Sequence, residues 1–165
     1  MSLTKSIKEV ILRDTLTEGK QITIKIEEEI SSQYNTFVWP CGLQLARYIF
    51  SWLMTSSTAN ENDAIFEIGA GCALPSLVFM KLSPSSHKFI VSDSRTVYSQ
   101  FQEQFQRNLE LNNLSGKVEV QCLAIDWGSG LKMVPKVDLV SNKKILLCSD
   151  CFYDSKGEFD FCLFV

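Results

Sequence analysis

A chain of 165 residues, 45% hydrophobic and 21% charged, has the size of one domain and too much apolar content for disorder. Its net charge is -3 with no block of Lys or Arg, which argues against direct nucleic-acid binding, because that affinity comes from neutralising phosphates with clustered cations. No apolar run reaches the roughly 18 residues of a membrane helix and the first ten residues lack an apolar signal core, so no membrane partner is expected, and the expected location is cytoplasmic, nuclear or both.

Two short β-prone runs, residues 7–12 and 21–26, flank the polar turn Thr17-Glu18-Gly19-Lys20 and predict an N-terminal β-hairpin, assigned to an extension over residues 1–35. Glu27, Glu28 and Glu29 read as a solvated face. Phe37-Val38-Trp39-Pro40 leads into a helix: Pro40 suits a first turn, where its missing N–H costs nothing. Leu43, Leu45, Ala46, Ile49, Phe50, Leu53 and Met54 then carry helical spacing to about Thr55. Residues 56–63 are a polar loop.

From residue 64 the pattern becomes regular. An apolar run at 64–68 is followed by a helix from Pro75 to about Leu82, a second run at 88–92, a helix over 96–111, and strands at 118–123 and 144–148. This alternation predicts an α/β, Rossmann-like, mostly parallel sheet with helices on both faces, in a domain spanning residues 36–165. Six cysteines lie mostly in apolar segments, where a reduced thiol packs as a small hydrophobe. Cys148 and Cys151 form a lone CxxC. With a single histidine, His87, distant in sequence and read as a solvated loop residue, no metal site is expected.

Each of the four parallel-type strands runs into an acid: Glu67, Asp93, Asp126 and Asp150. A parallel sheet collects these carboxyl ends on one edge, where ligands bind in open α/β folds. Acids also cap following helices, and glycines also serve ordinary turns. Two features favour a ligand. Gly69 and Gly71 stand where the first strand becomes a loop before a helix, so a ligand can lie against bare backbone with free N–H groups facing it. Asp93 stands 22 residues after Gly71, where a carboxylate can hold both hydroxyls of a ribose. A dinucleotide fingerprint wants a third glycine; this chain has Leu74-Pro75 and no cation for phosphates in that loop, so the site suits a nucleoside without phosphates, of which S-adenosylmethionine is the common one. Glu67 is then placed to attract its amino group, directly or through water. Asp126 can accept from an adenine amino group while Trp127 stacks on the ring or, alternatively, packs under a loop as core.

Glu67-Ile68-Gly69-Ala70-Gly71 with Asp93, then Asp126-Trp127-Gly128, then Asp150-Cys151-Phe152-Tyr153, all behind Val38-Trp39-Pro40, resemble the class I, seven-β-strand S-adenosylmethionine-dependent methyltransferases, in particular the methyltransferase-like branch that modifies protein side chains. The resemblance covers about residues 36–155. It implies that Trp39 helps to wall the cofactor site, that Gly69, Gly71 and Asp93 bind the methionine and ribose portions, and that Asp126 and Trp127 bind adenine. It further implies that Asp150 and Tyr153 border the acceptor nitrogen of a protein substrate, a lysine or arginine side chain, with a histone among the expected substrates. The seven-strand fold continues past its fourth strand, whereas only residues 154–165 follow Tyr153. The expectation is therefore a C-terminally shortened chain with the last strands missing and residues 145–148 as an apolar edge, open to a partner chain that covers it. Two competing readings follow: a truncated, non-catalytic form that binds cofactor or a partner without turnover, and a nicotinamide-dependent oxidoreductase. The absent third glycine and the Asp126-Trp127 pair oppose the second.

Overall fold

In a computed structural model, which describes residues 5–14, 19–29, 37–55, 63–82, 87–126 and 144–149, the chain builds two sheets. The first is the expected hairpin, with longer arms than the apolar runs suggested. Strands β1 (Lys5–Arg13) and β2 (Gln21–Glu29) pair antiparallel from Arg13 opposite Gln21 to Lys5 opposite Glu29. Alternation decides its faces: Val10, Leu12, Ile24 and Ile26 are buried, and Ile7 and Ile11 are exposed.

The second sheet has four parallel strands, β3 (Ala64–Ile68), β4 (Lys88–Asp93), β5 (Glu119–Ala124) and β6 (Lys144–Cys148), in the order β5-β4-β3-β6. Strands β3 and β4 are buried almost end to end, as expected of central strands covered on both faces, and this is why their sequences read as continuous apolar runs. Among the described residues β6 pairs with β3 at the end of the sheet order, with Leu146 exposed.

Among the described residues three helices flank this sheet. Helix α1 (Pro40–Thr55) starts at the expected proline and buries Gly42, Ala46, Ile49 and Phe50. Helix α2 (Leu74–Leu82) joins β3 to β4 and is buried at every position from Leu74 to Met80, so it is a core helix without a polar face in that stretch. Helix α3 (Tyr98–Leu111) joins β4 to β5. It begins two residues later than the pattern predicts, because turn bonds from Val97 N–H to Ser94 O and from Tyr98 N–H to Arg95 O occupy the approach.

Helix α3 also seats the hairpin. Gln104, Asn108 and Asn112 recur every four residues and share one face. The Asn108 side chain accepts from Glu27 N–H at 2.8 Å, and the Gln104 amide donates to Glu27 O at 2.7 Å. Asn112 accepts from Lys25 N–H at 2.9 Å and donates to Lys25 O at 2.7 Å. The edge of β2 turned away from β1 is thus satisfied by side-chain amides in place of a further strand. Apolar residues of the hairpin, Val10, Leu12, Ile24 and Ile26, join one core with Phe101, Phe105 and Leu109 of α3 and with α1 and α2.

Two expectations are corrected. Glu27 and Glu28 are not a solvated face. Glu27 accepts from Arg107 Nε at 2.7 Å and pairs with Lys5, while Glu28 pairs with Lys8 and accepts Val38 N–H at 2.9 Å, because the hairpin lies against α3 and the approach to α1. His87 is not a solvated loop residue. It is 2% exposed at the start of β4, edge-on to Phe79 and Phe89, because the strand it precedes is central.

Candidate active site at the carboxyl edge of the sheet

The site begins where β3 stops. Gly69, Gly71 and Ala73 all have positive φ, of 59°, 53° and 53°. An L-residue enters that region at a cost of about 1–2 kcal/mol, which glycine avoids. Ala73 therefore carries strain at the end of the turn, directly before α2. The turn closes through Ala73 N–H to Ala70 O at 2.7 Å and passes into α2 through Leu77 N–H to Ala73 O. It is pinned to the neighbouring strand by Ala70 N–H to Ser92 O at 3.0 Å.

The acid ending β4 completes it. Asp93 Oδ2 accepts Gly71 N–H at 2.8 Å, and its Oδ1 accepts Ser94 N–H at 2.7 Å. Burial pushes the Asp93 carboxyl above its ordinary range, against the lowering by these two N–H groups. An ionised carboxylate has about four acceptor positions, so two remain for donors such as the paired hydroxyls of a ribose.

Glu67 lies on β3, two residues before Gly69. It is 2% exposed, and its Oε2 accepts Ser76 N–H, in the first turn of α2, at 3.0 Å. A carboxylate at a helix N-terminus satisfies an orphan amide and meets the positive end of the helix dipole. Burial nevertheless dominates and pushes its pKa up to about 7, with the hydrogen bonding to Ser76 opposing and the nearby Asp93 charge adding to the rise.

Strands β4 and β5 stay zipped beyond their ends. Ile125 N–H donates to Asp93 O at 2.8 Å, and Arg95 N–H donates to Asp126 Oδ1 at 2.8 Å. Arg95 Nε also lies 3.3 Å from Asp126 Oδ2. Trp39, at the entry to α1, has its ring 4.6 Å from that of Phe37. A Cβ at Gly42 would lie 3.7 Å from Ser149 Oγ, so the first turn of α1 packs at the end of β6, directly before Asp150. Gly69, Gly71, Glu67, Asp93 and Asp126 are thus brought to one edge. Trp127, Asp150 and Tyr153 lie outside the described residues, as does Cys151 of the CxxC.

Three contributors escaped the sequence reading. Ser76 donates the amide that holds Glu67, Ser92 bonds Glu67 O through Oγ at 3.1 Å, and Arg95 holds Asp126. Only Arg95 left a signal, as a cation two residues after the acid in ribose position.

A turn of bare backbone, a carboxylate with two open acceptor positions and a second acid one loop further on make a donor and acceptor set that a nucleoside such as S-adenosylmethionine fits. Residues 18–160 match the family described as lysine methyltransferase, and the chain belongs to that family. It is 32% identical to the Histone-arginine methyltransferase METTL23 of Xenopus laevis over 154 residues, covering 90% of this chain and 58% of that protein. It is 28% identical to the Methyltransferase-like protein 23 of Dictyostelium discoideum over 156 residues, 89% of this chain and 59% of that protein. With the Histone-arginine methyltransferase METTL23 of Homo sapiens it shares 31% identity over 121 residues, 72% and 55% of the two chains. The chain spans about half the length of the curated relatives it matches.

Proposed function

We propose that this chain is the cofactor-binding part of an S-adenosylmethionine-dependent protein N-methyltransferase whose acceptor is a lysine or arginine nitrogen of a histone or another protein. The observation that carries the reading is the bond from Gly71 N–H to Asp93, which ties the glycine turn to the acid at the end of the neighbouring strand and leaves that acid positions for a diol. Gly69, Gly71 and Asp93 would hold the methionine and ribose portions, Asp126 and Trp127 the adenine, with Trp39 as a wall and Glu67 at the methionine end. The relatives' names support arginine of a histone, and the family description supports lysine. A histone substrate implies a nuclear site of action.

When bound, the cofactor supplies a methyl group on a sulfonium. The chain's part is to align and to deprotonate. A free lysine has a pKa of about 10.4 and an arginine one above 12, so the acceptor nitrogen reacts only if the site withdraws or shares its proton. Asp150 would orient that nitrogen by accepting its hydrogen bonds, and Tyr153 would wall its alkyl stem. Alignment of this kind is where most of the rate gain in such a displacement arises.

Calorimetric titration with S-adenosylhomocysteine tests the reading. Micromolar binding that is lost in Asp93→Ala is expected. A cooperatively folded chain that does not bind overturns it. Transfer of labelled methyl to histone peptides carrying either lysine or arginine, but not both, then assigns the acceptor.

A further inference from the structure

We infer that Arg95 is a positioning residue that sets the preference of this site for adenine by fixing the orientation of the Asp126 carboxylate; the inference rests on Asp126 being the adenine acceptor of the proposed function. Both oxygens of Asp126 are engaged by one residue, Oδ1 by Arg95 N–H at 2.8 Å and Oδ2 by Arg95 Nε at 3.3 Å. Rotation of an Asp carboxylate about its last bond is soft, so one bond leaves it free to swing, whereas two define its plane. The lone pairs not facing Arg95 then point in fixed directions.

The pair adds little as a fold-stabilising contact. The two side chains are 49% and 38% exposed, and ion pairs at that exposure contribute little to stability. Its location is more telling. Arg95 is in the turn just after Asp93, and Asp126 follows Ile125, whose N–H bonds Asp93 O. The ion pair therefore ties the loop carrying the ribose acid to the loop carrying the adenine acid. A carboxylate held there accepts from the N6 amino group of adenine and repels the O6 carbonyl of hypoxanthine, which presents lone pairs at the same place.

The test compares S-adenosylhomocysteine with S-inosylhomocysteine by calorimetry, in the unaltered chain and in Arg95→Ala, Arg95→Lys and Asp126→Asn. The unaltered chain is expected to prefer the adenine ligand by about ten-fold or more, the discrimination one charge-assisted hydrogen bond provides. Arg95→Ala should cut that preference at least about three-fold, chiefly by weakening the adenine ligand, and Arg95→Lys should restore part of it. Asp126→Asn should abolish or invert it, since an amide can also donate. Arg95→Met, which keeps the stem and removes the donor, replaces the alanine variant if that one fails to melt cooperatively. An intact preference in Arg95→Ala, or equal weakening of both ligands, overturns the inference while leaving the cofactor site standing. Failure of the unaltered chain to bind either ligand overturns the site itself and this inference with it.

Discussion

The backbone N–H of Gly71 donates to Oδ2 of Asp93 at 2.8 Å, joining a left-handed glycine on one strand's turn to the terminal acid of the next strand. Only an acceptor on both sides of that carboxyl serves, because Ser94 N–H occupies Oδ1. Asp93→Asn must turn an NH2 toward one of the two N–H groups. Binding of S-adenosylhomocysteine should weaken by at least about ten-fold, as measured by calorimetry, with far-UV circular dichroism unchanged. An unaltered Kd would show that Asp93 serves the turn alone.

Glu67 predicts a pH dependence of stability. Its folded pKa, about 7, lies above its ordinary value of 4.5, so the folded state binds the proton more tightly than the unfolded chain. Stability from this group is complete below about pH 4.5 and is lost as pH rises through 7. Glu67→Gln keeps an acceptor for Ser76 N–H and removes the buried charge. The variant's advantage in unfolding free energy should grow between pH 5 and 8 by up to about 3 kcal/mol. A difference that is flat across that range, in urea titrations at each pH, would place Glu67 in contact with water.

The amide face of α3 predicts where the hairpin is weakest. Asn112 makes two bonds to the Lys25 backbone and is 3% exposed. Asn112→Ala removes both partners of the part-buried Lys25 N–H and C=O and should cost about 1–2 kcal/mol. Asn112→Asp should cost more, since a carboxylate would then face Lys25 O. Hydrogen exchange should speed first at β1 and β2 amides, and uniform exchange across both sheets would argue against this docking.

His87 predicts a stabilising substitution. Among the described residues neither ring nitrogen has a hydrogen-bond partner, and the ring is packed against Phe79 and Phe89. A buried unsatisfied polar group costs about 1–3 kcal/mol. His87→Leu, close in volume, should leave stability unchanged or raise it by about 1 kcal/mol in urea denaturation. A loss of more than that would reveal a bonded imidazole.

The type and order of the elements were readable from the chain alone. Period-2 and period-3.6 patterning, Pro40 at a helix start and continuous apolar runs at β3 and β4 are local consequences of backbone geometry and burial. The glycine pair and the strand-end acids were readable for the same reason, since a parallel sheet turns sequence position into spatial position. The partners of polar groups were not. Asn108 and Asn112 look like ordinary surface amides on a helix, yet their partners Glu27 and Lys25 lie 81 and 87 residues away. Glu27 and Glu28 look solvated until the hairpin lies down on α3. His87 looks like a loop residue until the sheet buries it, and Glu67 looks ready for a ligand until α2 presents Ser76 N–H to it. Patterning fixes which residues are strand or helix because those forces act over a few residues. Which donor meets which acceptor is decided only when the elements pack, because a hydrogen bond acts over about 3 Å and carries no trace in the sequence between its ends.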